Sequence, residues 1–357
     1  MRPPGGRMRL KIALAALAAL ALVSRYSPAQ AGSFDLASMP HAEREGVIET
    51  PNIIYASISG YRPLDLTIYR PANAAAPLPI VLYIHGGGWG LNPFKPITGT
   101  PASPMVGLGD TTDTFVKLAQ RGYVVANVTY RLSSEAKFPA QIQDIKQAVR
   151  FLRVHAADIG GDPDHIIGWG SSAGGYLVVL LGTSCGVPAF EPPKALAGPG
   201  GSPPGAAPAV DLSVSDCVDA VADWYGPVEF SKMDAEAAAN HLPGGSAMSH
   251  NSPTGPESKL LGCALPLCSA ELLKEADPLT YVSAKTPPFL IIQGLADTGV
   301  PVEQSELLAA ALKSAGVPAT VHLVPHANHM FFGIPLADQE KLVDETFAFF
   351  DRVSGKQ

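Results

Sequence analysis

Three stretches of this chain have the residue types and spacing to cleave an acyl bond. Ser172 stands in Gly170-Ser171-Ser172-Ala173-Gly174, His329 in His-Ala-Asn-His-Met-Phe-Phe (326–332), and His85-Gly86-Gly87-Gly88 supplies a glycine run. A serine hydroxyl is a weak nucleophile near neutral pH. It needs a base within hydrogen-bond reach, and the base needs a group to orient it. Of the nine histidines, His329 is the best base and His326 its nearest rival. The orienting acid is expected to be Asp297, in Gly-Leu-Ala-Asp-Thr-Gly-Val-Pro (294–301). Glu340 and Asp344 read as the solvated face of a helix, and Asp223 as a satisfied buried acid. Glycines let backbone N–H groups approach a substrate oxygen without Cβ interference, so the oxyanion hole is assigned to the amides of Gly87, Gly88 and Ala173. Losing one such donor typically costs about 3–4 kcal/mol in the barrier.

Rival chemistries fit less well. G-x-S-x-G is short, and in a chain with 35 glycines its context carries the weight. The same letters spell G-x-G-x-x-A over 168–173, a dinucleotide-binding pattern that needs an acid about twenty positions on, at the end of a second strand. Glu191 lies near that distance, but in Pro-Ala-Phe-Glu-Pro-Pro (188–193), which cannot be a strand. His322, His326 and His329 lack an H-E-x-x-H pattern or a nearby acidic ligand, so no metal is expected there. No C-x-x-C occurs, which argues against zinc. His85 reads as structuring its own glycine loop, and His41, His241 and His250 as solvated.

The elements around these residues must converge them. Ile53–Ser59 and Leu64–Tyr69 alternate like two antiparallel strands about Gly60. Pro79–Ile84 and Tyr123–Tyr130 are continuous apolar runs, the mark of strands covered on both faces. Helices are expected over Thr112–Gln120 and Ala140–Ala157. A Gly-Asp-Pro-Asp turn (161–164) leads into a strand at Ile166–Trp169, and a helix follows at 175–182. Further strands are expected at Val218–Tyr225, Pro288–Gln293 and Ala319–Val324, with helices at Val302–Ala315 and Asp338–Val353. Residues 226–285 read as an irregular cap, and 186–215 as a loose surface insertion rich in Gly and Pro. Strand–helix alternation from residue 79 demands a mostly parallel sheet covered by helices, in which ligands bind beyond the carboxyl ends of the strands. Each candidate above lies just past such an end.

The first 31 residues read as a secretory signal peptide: Arg2, Arg7, Arg9 and Lys11, the apolar Ile12–Val23, then Ala29-Gln30-Ala31 as cleavage site. The 326 residues left (357 − 31) suit one α/β domain over 32–357. Removing five basic residues and no acid takes the net charge from −7 to −12, which argues against nucleic acid or an anionic membrane as partner. A soluble protein, secreted or periplasmic, is expected; no oligomeric state follows. Four cysteines in an exported chain suggest disulfides, and of three pairings the local one is favoured, Cys185–Cys217 with Cys263–Cys268. The first would tie off the insertion and stabilise by roughly 3–4 kcal/mol in the chain-entropy model.

Taken together, IHGGGWG (84–90), YRLSSEAKFPAQIQDIKQAVRFLR (130–153), GWGSSAGG (168–175), VADWYGP (221–227), ESKLLG (257–262), PPFLIIQGLADTGVP (287–301) and HANHMFF (326–332) resemble the feruloyl/acetyl-xylan esterase-like branch of the α/β-hydrolases, related to the hormone-sensitive-lipase-type esterases. The resemblance runs from about residue 50 to the C-terminus. It implies an α/β-hydrolase fold with a cap insertion and carboxylic-ester hydrolysis through an acyl-enzyme on Ser172, with no cofactor. Two departures stand out: Met330 where many relatives have Gly, and the insertion at 186–215. Trp89, Trp224 and Tyr225 fall near strand ends and are candidates for the wall of an acyl pocket, whereas Trp169 reads as core. Aromatic or acetyl esters of plant polymers, or related polyesters, are the expected substrates. The alternatives are an amidase, arylformamidase or peptidase on the same fold, and a non-catalytic binding module. The last is disfavoured by a complete Ser–Asp–His set.

Overall fold

Alternate residues of the apolar run at 79–84 serve two different cores. Ile80, Leu82 and Ile84 join one buried cluster, Val81 and Tyr83 the other. A strand covered on both faces needs apolar side chains at every position, which is why the run is unbroken. The computed structural model describes Met1 and residues 36–74, 77–93, 112–192, 211–241 and 249–356. The expected leader therefore lies outside the described residues.

Nine strands form one sheet: β1 (Ala42–Arg44), β2 (Val47–Ala56), β3 (Leu64–Pro71), β4 (Leu78–Ile84), β5 (Val124–Val128), β6 (Gly161–Ser171), β7 (Ala220–Trp224), β8 (Phe289–Gly294) and β9 (Ala319–Val324). Their order is β1-β2-β3-β5-β4-β6-β7-β8-β9. The first three strands and the β3–β5 pair are antiparallel, and all other pairs are parallel. This is the expected α/β-hydrolase architecture. On one face pack α2 (Ala140–Val154), α4 (Ala173–Thr183) and α8 (Val302–Ser314), through Ile142, Leu177 and Leu308 among others. On the other pack α1 (Thr112–Gln120) and α9 (Leu336–Val353), through Phe115, Phe347 and Phe350. Every residue of α4 is buried, so this helix has no solvated stripe and reads in sequence as one apolar block.

The chain moves from β4 outward to β5, then crosses back to β6 and proceeds the other way to β9. β4 and β6 are neighbours at this reversal, and Ile84 is in register with Gly170. Loops leaving two such strands diverge and open a crevice at their carboxyl ends. The glycine run follows one strand and Ser172 the other.

Three local expectations are corrected. Helix 140–157 breaks at His155, whose ring packs on Phe151 at 4.5 Å and pairs with Asp158 at 2.9 Å; α3 (Ala156–Ile159) follows. The Gly-Asp-Pro-Asp turn does not precede β6 but loops out of it: Gly161 pairs with Leu78, and pairing resumes at Ile166 with Ile80. The ends of the 186–215 insertion are anchored, not loose. Phe190 is buried between Phe138 and Tyr281, Arg150 pairs with Glu191 at 2.7 Å, and the buried Lys146 pairs with Asp216. Residues 193–210 lie outside the described residues. Disulfides join Cys185 to Cys217 and Cys263 to Cys268.

Within 226–285 the described residues form short helices α5 (Met233–Ala239), α6 (Pro256–Leu261) and α7 (Ala270–Ala276). They pack on the α4 side of the sheet through Met233, Leu260 and Ala276, joined by Leu265 from the turn between α6 and α7. The described residues from 36 to 356 cluster as one unit. No helix among the described residues is long and apolar enough to cross a membrane.

Candidate active site

The chain leaves β6 through Ser172 at φ 53°, ψ −120°, a backbone conformation that residues with a Cβ rarely adopt and that clusters at functional sites. The Ser172 N–H donates to the Trp224 carbonyl at 2.9 Å, and the Ser172 carbonyl accepts from Tyr176 at 3.0 Å as α4 begins. The glycines on either side are imposed by close approach. A Cβ on Gly170 would lie 2.2 Å from the Gly174 carbonyl oxygen, and one on Gly174 would lie 2.0 Å from that of Ile84. Strand, turn, helix and neighbouring strand therefore fit only without side chains at these two positions.

Two loops bring the other polar groups to that hydroxyl. His329, in the loop after β9, places Nε2 at 3.0 Å from Ser172 Oγ and Nδ1 at 2.8 Å from Asp297 Oδ2. Asp297, in the loop after β8, is fully buried. Its Oδ1 accepts from the N–H groups of Gly299 at 2.7 Å and Val300 at 2.8 Å, and its Oδ2 also accepts from Gln293 Nε2 at 3.0 Å. With both oxygens so engaged, the carboxylate cannot rotate away from the imidazole. Asn328 ties the two loops together: its Oδ1 accepts from the Thr298 N–H and hydroxyl at 2.9 and 3.1 Å and from the His329 N–H at 2.6 Å. Such a chain lets the imidazole take the serine proton while the buried carboxylate stabilises the cation formed.

Opposite stand the glycines. Gly87 and Gly88 take φ values of 105° and 57°, and the Gly87 carbonyl accepts from the N–H groups of Gly90 and Leu91 at 3.1 Å each. His85 is buried, stacked on Tyr130 at 4.4 Å, with Nδ1 2.7 Å from the Gly86 carbonyl; burial lowers its pKa to about 4, so it stays neutral. Ala173 opens α4, where an amide has no partner one turn earlier. Gly87, Gly88 and Ala173 border the same cleft as Ser172 and His329. The cleft holds about 550 Å³ and has mostly apolar walls, a size suited to a small organic ligand.

The aromatic candidates separate. Trp89 and Tyr225 line the cleft, Tyr225 edge-on to His329 at 4.9 Å. Trp224 does not reach it, which corrects the expectation from sequence. Its side chain lies on the sheet face covered by α9, where Nε1 donates to Thr346 at 3.0 Å and the ring packs on Trp169 at 5.3 Å. Successive side chains point to opposite faces of a strand, and Tyr225, at φ 46°, turns off the end of β7.

The remaining histidines do not gather. His322 pairs with Glu345 at 2.6 Å on the surface, and His326 is exposed. Asp223 is buried beneath the serine turn. Its Oδ1 accepts from the Gly226 N–H at 3.0 Å, Oδ2 has no partner among the described residues, and burial pushes the carboxyl up to about 8. His250, expected to be solvated, is instead buried at the cleft wall beside Glu257. No apolar periodicity marks that segment; its only signal in the sequence was the ESKLLG motif.

The BD-FAE family model matches residues 66–312. Esterase LipQ of Mycobacterium tuberculosis is 27% identical over 305 residues, covering 85% of this chain and 62% of LipQ. The chain thus spans about three-fifths of the length of that curated relative. A truncated carbohydrate esterase from gut microbiota superposes with a TM-score of 0.64 at 27% identity, covering 91% of this chain and 99% of that one. A bifunctional GH43-CE protein of Bacteroides eggerthii superposes with a TM-score of 0.64 at 29% identity, covering 85% of this chain and 38% of that one.

Proposed function

The chain belongs to the BD-FAE family of α/β-hydrolases, and we propose that it hydrolyses carboxylic esters through an acyl-enzyme on Ser172. The observation that carries this reading is the unbroken chain Ser172 Oγ–His329–Asp297, at 3.0 and 2.8 Å, facing a glycine run across one cleft. Ser172 gives its proton to His329 Nε2 and attacks the ester carbonyl. The amides of Gly87, Gly88 and Ala173 hold the oxyanion. The imidazolium returns the proton to the leaving alcohol, and water then repeats the sequence on the acyl-enzyme. Asp297 keeps the imidazole in the tautomer and orientation this needs.

The substrate we assign is an acetyl or feruloyl-type ester borne on a plant carbohydrate, or a related polyester. Its support is the likeness to a carbohydrate esterase and the aromatic wall of Trp89 and Tyr225. The two disulfides and the leader-like first 31 residues support export to an oxidising compartment as a single hydrolase domain. Purified protein is to be assayed with methyl ferulate, acetylated xylan, p-nitrophenyl acetate and an anilide. Ester cleavage without anilide cleavage is expected, and Ser172→Ala is expected to abolish it while leaving thermal unfolding unchanged. Faster cleavage of the anilide would make the protein an amidase; undiminished activity in Ser172→Ala would remove the serine from its role.

A further inference from the structure

The carboxyl of Asp223 takes no part in the reaction above, yet it lies at the junction of two segments that do. In β7 the residue pairs with Gly170 of β6 on one side and with Ile291 of β8 on the other, and it is fully buried. A Cβ on Gly175, in the first turn of α4, or on Gly226, just past β7, would lie 2.5 Å from Asp223 Oδ1. The two glycines thus leave the space that this oxygen fills. Oδ1 accepts the Gly226 N–H at 3.0 Å, while Oδ2 has no partner among the described residues. Burial favours the neutral acid there, so the carboxyl serves as an acceptor without a buried charge.

That hydrogen bond closes a turn around Tyr225. The residue takes φ 46°, a left-handed conformation that is strained for a side chain with a Cβ and persists only where its surroundings impose it. Two backbone donors flank it. The Tyr225 N–H donates to the Ile292 carbonyl at 2.9 Å, and the next N–H, that of Gly226, goes to Asp223. The ring then stands edge-on to the His329 imidazole and to Phe331, at 4.9 Å each. Every link from carboxyl to imidazole is therefore a bond or a contact: Asp223 to the Gly226 N–H, Gly226 to Tyr225 through their peptide bond, and Tyr225 to His329.

We infer that Asp223 is a positioning residue: by accepting the Gly226 N–H it holds Tyr225 in its left-handed turn, and the Tyr225 ring holds the His329 imidazole between Ser172 and Asp297. The carboxyl carries no reacting proton, since it is buried beneath the serine turn and does not border the cleft. The inference rests on the ester-hydrolase reading of that cleft.

The test is a double-mutant cycle in the full chain: Asp223→Ala, Tyr225→Ala and the two combined, beside Asp223→Asn, which keeps the acceptor. Two quantities are read: kcat and KM for p-nitrophenyl acetate, and the low-field proton resonance of the His329–Asp297 hydrogen bond, identified by its disappearance in Asp297→Asn. Asp223→Ala and Tyr225→Ala should each lower kcat about tenfold or more, as for a small misplacement of a catalytic group, with KM of Asp223→Ala within about threefold of wild type. The combined variant should be no slower than Tyr225→Ala within about twofold, because residues that act through one another are not additive. Asp223→Asn should recover most of kcat. Losses that multiply in the combined variant would overturn the inference, as would an Asp223→Ala protein with a lowered melting temperature but unchanged kcat. If Asp223→Ala does not fold, Asp223→Leu, which fills the space without an acceptor, takes its place with the same expected and overturning results. A wild-type protein without esterase activity would sink the hydrolase reading. The resonance then decides this one: Asp223→Ala should displace it as Tyr225→Ala does, and an unmoved resonance would overturn it.

Discussion

The two walls of the cleft are held in different ways. On the Ser172 wall, main chain fits against main chain: β4 and β6 lie side by side, and the turn between β6 and α4 closes because Gly170 and Gly174 have no side chains to obstruct it. On the His329 wall, two loops are held by side chains. Gln293, Asn328 and Asp297 accept or donate among them. The first wall depends on steric fit, so a methyl group can break the fold there. The second depends on hydrogen bonds and charge, so an isosteric change can remove the chemistry and leave the fold.

The largest effect expected from that contrast is at Asp297. Asp297→Asn keeps the shape but offers His329 Nδ1 a donor in place of an acceptor, and kcat for p-nitrophenyl acetate should fall by about 10⁴-fold with little change in melting temperature. A loss below tenfold would place the orienting acid elsewhere. Gly174→Ala should act in the opposite sense. Its Cβ meets the Ile84 carbonyl oxygen, so urea unfolding should show a stability loss of about 3 kcal/mol or more, or no folded protein at all. A stable, active Gly174→Ala enzyme would show that the serine wall is not close-packed.

Two weaker effects sharpen the comparison. Asp223 sits beneath the serine wall with its carboxyl raised to about 8 by burial, well above the value of an exposed aspartate. Between about pH 4 and 8 the folded state therefore binds a proton that the unfolded state has lost, and stability falls as pH rises through that window. Asp223→Asn, still able to accept from Gly226, should flatten the dependence; equal slopes in the two proteins would mean the carboxyl is ionised when folded. On the other wall, Met330 takes φ 61°, where a glycine is unstrained. Met330→Gly should leave stability equal or raise it by about 1 kcal/mol, and a clear loss would mean the thioether contributes more by packing than its backbone costs.

The same contrast explains what the sequence disclosed. Strands buried on both faces, glycines forced by close approach and polar residues just past strand ends leave local patterns, so the sheet and Ser172, Asp297 and His329 were legible. β1 was not: it is a three-residue edge strand, exposed throughout, with no alternation to read. Trp224 and Tyr225 are adjacent letters in one apolar run, and which of them faces the cleft depends on the φ of 46° at Tyr225, for which no residue type speaks. His250 and Glu257 meet at 3.0 Å only after a stretch of Ser, Pro and Gly has folded at the cleft wall. Contacts of that kind are set by tertiary packing, not by periodicity.

The most direct measurement is labelling with a fluorophosphonate, followed by digestion and mass spectrometry, with residual ester hydrolysis read on the same samples. One adduct should form, on the peptide that contains Ser172, with activity lost in proportion to labelling and no adduct in Ser172→Ala. Full activity in protein whose Ser172 is completely labelled would contradict hydrolysis through that hydroxyl.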